Sequence, residues 1–98
     1  MRIVRNPLFV SDLFDGYAYL AERSPKAASR FLEESERVIE LLASFPEIGR
    51  ARDNLRPGVR SFPLRTFPDL ILCRSLGSRL DLLRVVHGAR DLHMLKLD

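Results

Sequence analysis

The sequence predicts an α+β fold in the order β-α-α-β-β-β, with an antiparallel helical hairpin packed on a small, mostly antiparallel sheet. Three observations carry that expectation. Two apolar patterns of helical period fill residues 7–45, and each opens with a capping residue followed by proline. Three alternating or wholly apolar stretches follow between residues 59 and 87, separated by Pro- and Gly-containing turns. A short segment with β-branched Ile3 and Val4 precedes both groups. At 98 residues, with no linker, repeat or low-complexity tract, the chain reads as one domain spanning 1–98.

In order, Met1 to Arg5 forms the first strand, and Asn6 with Pro7 starts a helix over residues 7–22. Phe9, Val10, Leu13, Phe14, Tyr17, Leu20 and Ala21 recur at helical spacing as its core stripe, and Tyr17 is expected in the core. Gly16 weakens this helix, so either a neighbouring backbone comes close there or the cost is tolerated. Ser24 and Pro25 repeat the punctuation for a second helix. Its stripe runs through Ala28, Phe31, Leu32, Ser35, Val38, Ile39, Leu42 and Phe45. Arg30 with Glu34, and Glu33 with Arg37, are placed to pair on its solvent face.

Pro46 ends the second helix and opens a basic loop through Arg52. Residues 59–65 alternate like a strand, which Pro63 demotes to an edge or a bulge. Leu70 to Arg74 reads as an interior strand, and Leu76 to Ser78 as a hairpin loop. The stretch from Leu80 to Leu92 is the organising element. Leu80, Leu82, Arg84 and Val86 alternate with Leu83, Val85 and His87, so both faces of a central strand are apolar. Gly88 is expected to leave the strand with a backbone angle that a Cβ would resist, bringing His87, Arg90 and Asp91 together before a helical stub from Asp91 to Leu97.

Composition excludes several functions. A 46% hydrophobic and 30% charged chain is globular rather than disordered. Its apolar runs are too short to span a membrane, no signal peptide opens it, and a cytoplasmic location is expected. One cysteine, Cys73, precludes an internal disulfide and reads as a buried small hydrophobe. Two histidines and one cysteine are too few for a metal cage, and no phosphate loop or nucleophile motif calls for a cofactor.

The charge is asymmetric. Residues 1–49 hold six basic and eight acidic side chains, net −2, whereas residues 50–98 hold ten and five, net +5. Fourteen of the sixteen basic residues are arginine, the side chain that grips carboxylates and phosphates with two prongs. An anionic partner, either nucleic acid or an acidic protein, is one reading; a solvated arginine surface is the other. As a reaction centre, Arg60, Arg84, His87 and Arg90 could hold a phosphodiester and shuttle a proton without metal. Three of them also have a structural reading: a hydrogen-bonded His87, a local pair of Arg90 with Asp91, and an Arg84 facing a carboxylate.

Five segments in this order resemble one family: SPKAA at residues 24–28 with Phe31, FPEIGRAR at 45–52, LRPGVRSF at 55–62, LILCR at 70–74 and LRVVHGARDL at 83–92. Together they resemble the ParE toxins of bacterial type II toxin–antitoxin modules, within the RelE/ParE superfamily. The resemblance implies a growth-inhibiting toxin of the plasmid-stabilization type, paired in a hetero-oligomer with a cognate ParD-like antitoxin whose tail folds over the hairpin and sheet. It also implies DNA gyrase as the target. In the RelE branch, basic residues and a C-terminal tyrosine cut messenger RNA on the ribosome. Arg60 and Arg90 fall where two such basic positions lie, but no tyrosine follows residue 19.

A binding toxin is therefore expected, with a ribosome-dependent nuclease or a non-toxic antitoxin-binding homologue as alternatives. Arg50, Arg52, Arg90 and Lys96 are the candidate target contacts. Leu13, Tyr17, Phe31 and Val38 on a hairpin groove, beside Arg60, Arg65 and Arg84, are the candidate antitoxin contacts, suited to an amphipathic acidic peptide.

Overall fold

The two proline-capped patterns become helices at the residues the sequence marks. In the computed structural model, which describes residues 1–88 and 91–97, strand β1 (Arg2–Arg5) leads into α1 (Pro7–Arg23) and α2 (Pro25–Ser44). Ser24 serves both helices. Its N–H donates to the Leu20 carbonyl at the end of α1, and its Oγ accepts from the Ala27 N–H at the start of α2. Asn6 differs from expectation, because its side chain makes no capping bond. Its N–H instead donates to the Leu82 carbonyl, so the sheet sets the entry to α1.

Four further strands are β2 (Arg50–Ala51), β3 (Val59–Pro63), β4 (Asp69–Leu76) and β5 (Arg79–His87). They join β1 in one sheet of order β1-β5-β4-β3-β2, in which only the β1–β5 pair is parallel. β2 is the strand that sequence reading missed: two residues inside a basic loop show no period. It covers Arg60 and Ser61 of β3, and Pro63 lies beyond it on the uncovered edge, where a missing N–H costs nothing. The expected helical stub is a 3₁₀ turn over Leu92–Met94, opened by Asp91, whose Oδ1 accepts from the His93 N–H.

Both faces of the sheet are apolar, as the β5 pattern implies. Phe9, Phe31, Val38, Ile39 and Leu42 of the helices pack on Ile71, Cys73, Leu80, Leu82 and Val85. On the opposite face Val59, Leu72, Leu83 and Val86 lie beneath Leu92, Leu95 and Leu97 of the C-terminal segment. Strict alternation fails within β5. Leu72 opposes Arg84 while Cys73 opposes Leu82, so Leu83 is an extra residue in a bulge and Val85, not Arg84, continues the helix-side row.

Three local expectations change. Gly88 does not take a positive φ, which among the glycines only Gly58 and Gly77 adopt. Its need is space, since a Cβ there would stand 3.0 Å from the Pro68 carbonyl oxygen, which accepts the Gly88 N–H. At Gly16 the close neighbour is a side chain: an added Cβ would meet Phe31 Cζ at 2.8 Å. The pairs Arg30–Glu34 and Glu33–Arg37 do not form among the described residues. Glu34 is only 8% exposed and accepts the N–H groups of Arg65 and Thr66 in the β3–β4 turn. Burial resists its ionisation, but the bonds from Thr66 and Arg65 outweigh that and hold its carboxyl below the usual range.

Candidate functional site

Two residues past the bulge in β5, and beyond the last residue that β1 covers, the Val85 N–H donates to Asp12 of α1 at 2.9 Å. The same carboxylate takes Arg84 in a two-pronged grip, Nε to Oδ2 at 2.7 Å and Nη2 to Oδ1 at 3.0 Å. The third guanidinium nitrogen, Nη1, donates to the Lys96 carbonyl. One side chain thus fastens α1, β5 and the C-terminal segment. The hydrogen bonds that Arg84 donates to Asp12 raise its pKa against the opposing effect of burial. Arg84 is spoken for, which corrects its reading as an open contact for a partner or substrate.

The other candidate cations spread over the sheet. Arg60 points its Nη1 at the Glu47 and Gly49 carbonyls, 3.1 and 2.9 Å away, and so anchors the loop before β2. Arg52 donates Nε to Ser61 Oγ at 2.9 Å, and burial together with the neighbouring Arg50 charge lowers its pKa. Arg50, Arg65 and the Lys96 side chain are exposed. His87 ends β5 opposite Asp69, whose carboxyl is raised by burial and partly restored by the His87 charge.

Arg60 opposes Cys73 on β4, four residues from the partner of His87 and one strand further out. The separation is about 13 Å along the strands and about 10 Å across them. Arg60, Arg84 and His87 therefore do not converge, and Arg90 lies outside the described residues. Cys73 is buried, with its thiol pushed up to about 11 by burial despite nearby Arg60. Among the described residues no group of histidine, cysteine or carboxylate side chains could hold a metal ion.

The apolar candidates divide differently from the sequence reading. Phe31 and Val38 are corrected from rim to core, at 2% and 0% exposure. Leu13 is half-buried against the core. Tyr17, expected inside, lies on an outward stripe of α1 with Val10 at 50% and Phe14 at 68% exposure. The reason is geometric: the seven stripe residues of α1 span a wider arc than one sheet can cover, so Phe9 and Leu20 face inward beside Gly16 and Val10, Phe14 and Tyr17 are left over. That excess of apolar arc was the available signal for Val10 and Phe14. Beside this stripe a cavity of about 330 Å³ opens between Tyr19, Leu20, Phe31, Phe67 and His87.

A family model describing the ParE toxin of type II toxin–antitoxin systems, parDE, matches residues 3–92. The chain belongs to the ParE toxin family. Among curated relatives, Toxin ParE3 of Caulobacter vibrioides is 34% identical over 92 residues, covering 93% of this chain and 90% of that one. A solved chromosomal ParDE toxin–antitoxin system from P. aeruginosa shares the ParE fold seen here. Its TM-score is 0.76 at 22% identity, covering 89% of this chain and 95% of that chain. No helix among the described residues of this ParE toxin is long and apolar enough to cross a membrane.

Proposed function

We propose that this ParE toxin acts in the cytoplasm by binding DNA gyrase and is held inactive by a ParD-like antitoxin. The observation that carries the antitoxin half is the stripe of Val10, Phe14 and Tyr17, three large apolar side chains one helical face wide and left uncovered. An amphipathic helix laid along α1 would bury them, and its acidic residues would reach the exposed Arg65 guanidinium beside α2. Binding rather than turnover is supported by the separation of Arg60 from His87 and by the engagement of Arg84 with Asp12. Arg50, Arg52 and Lys96 remain the candidate target contacts.

Growth on inducing the chain alone, then with its neighbouring reading frame, tests the reading. Arrest with gyrase-linked DNA breaks, relieved by the neighbour, is the expected result. Transcript cleavage on ribosomes without gyrase would overturn it. Phe14→Glu should weaken capture of the antitoxin while leaving the melting temperature within a few degrees, because the Phe14 ring packs little of itself on this chain. Central aromatic anchors of this kind contribute about 2 kcal/mol or more, a loss of roughly thirtyfold in affinity.

A further inference from the structure

Residues opposite one another in a ladder share a face of the sheet. Val59, in the core on the side away from the helices, opposes Arg74, which opposes Asp81, and Arg79 reaches Asp81 at 2.8 Å from two residues away. Arg2 opposes Arg79 on β1. At the other edge Arg50 opposes Ser61, and Arg52 donates to the Ser61 hydroxyl. Five arginines therefore run diagonally across this one face, in the order Arg2, Arg79, Arg74, Arg52, Arg50, with the exposed Lys96 on the segment that crosses it.

The stripe is poorly compensated. Asp81 is buried and taken by Arg79, and Asp53, in the adjoining loop, is held by the Gly58 N–H. Arg2, Arg50 and Lys96 form no ion pair among the described residues. Among the described residues Arg74 Nε is buried without a hydrogen-bond partner, and Arg52 has only its Nε engaged. Burial first, and then the like charge of Arg50, disfavour the Arg52 guanidinium in the isolated chain, and an anion seated between the two would offset both.

We propose that this stripe binds the phosphate backbones of a nucleic-acid double helix directly. The inference goes beyond the gyrase and antitoxin reading and does not depend on it. The stripe spans four interstrand gaps of about 4.8 Å, or about 19 Å, enough to reach two backbones across a groove about 12 Å wide. The strands carry no phenylalanine or tyrosine on this face among the described residues. Phe9, Phe31, Phe62 and Phe67 lie on the helix side, Phe14, Tyr17 and Tyr19 lie on α1, and Phe45 caps the end of α2. Single-strand binders stack bases on such rings, and protein interfaces use them as anchors, so a face of guanidinium groups without them matches duplex phosphates better than either.

The test is fluorescence anisotropy of the purified chain, with no other protein, on a labelled 20-base-pair DNA duplex, an RNA duplex, a single strand of the same length and polyglutamate. Duplex binding should weaken with a log–log salt slope of roughly −4, the release expected for four to five neutralised phosphates. The double variant Arg2→Glu with Arg50→Glu, whose side chains are exposed, should lose about tenfold or more in duplex affinity at an unchanged melting temperature. Binding to either duplex with that slope and that loss supports the inference. Absence of duplex binding at 50 mM salt, an affinity indifferent to the double variant, or tighter binding to the single strand or polyglutamate overturns it. Growth arrest by the unaltered chain is scored separately, so failure on nucleic acid leaves the toxin reading standing.

Discussion

Replacing Asp12 with alanine probes the clamp on which three elements depend. The substitution removes both acceptors of the Arg84 fork and the acceptor of the Val85 N–H, and puts nothing in their place. Unpairing one partner of a buried ion pair costs about 3–5 kcal/mol, and an orphaned buried amide about 1–3 kcal/mol. The two losses share one carboxylate and overlap. The pair also keeps some solvent, at 11% and 16% side-chain exposure, which lets water replace part of the carboxylate. About 4 kcal/mol is therefore expected. For a domain of this size that lowers the melting temperature by about 16–32 °C. Circular dichroism melts of Asp12→Ala and urea titrations at pH 7 read the loss. Hydrogen exchange should show the amides of residues 92–97 opening first, because Arg84 also holds the Lys96 carbonyl. Arg84→Lys should cost nearly as much, since an ammonium cannot reproduce the fork. A shift of less than about 4 °C in Asp12→Ala would refute the reasoning, whatever the exchange pattern.

Three further outcomes follow from the interior. Glu34→Gln should destabilise the fold by about 1–3 kcal/mol at neutral pH. The folded-state pKa of Glu34 is lowered, so its contribution is complete above its ordinary range and disappears as pH falls through the folded value; the variant and the parent should converge in acid melts, and a constant gap would count against the assignment. Gly16→Ala gains about 1 kcal/mol in helix propensity but forces a Cβ against Phe31, whose ring is buried edge-on to Phe67. Overpacking of about 1–3 kcal/mol should win, giving net destabilisation in a urea titration. Cys73, with its thiol near 11, should resist iodoacetamide at pH 8 in the folded chain and react once denaturant is added; rapid native labelling would contradict its burial.

How much was legible depended on how local each determinant was. Ser24 and Pro25 act within four residues, so the helical hairpin could be read with its boundary correct. β2 owes its existence to Ser61 and Arg60 across a ladder, and two residues of sequence cannot announce that. The bulge at Leu83 belongs to the same class. The acceptor beside it, Asp12, lies 73 positions away from the amide it receives, so the alternation of β5 looked unbroken and Arg84 looked available. Glu34 was misplaced because helical spacing ranks only neighbours on one helix, whereas the turn at Arg65 and Thr66 decided its orientation. The arginine excess of the second half was visible; its gathering on one face of the sheet required the register.

The parallel pairing of β1 with β5 joins the first strand of the sheet to its last. During synthesis at about 5–20 residues per second, β1 waits several seconds for its neighbour to leave the ribosome. Until then Ile3 and Val4 have no ladder, α1 has no floor, and the arginine stripe has no plane on which to assemble. A chain of this design therefore cannot display its finished surface through most of its own translation.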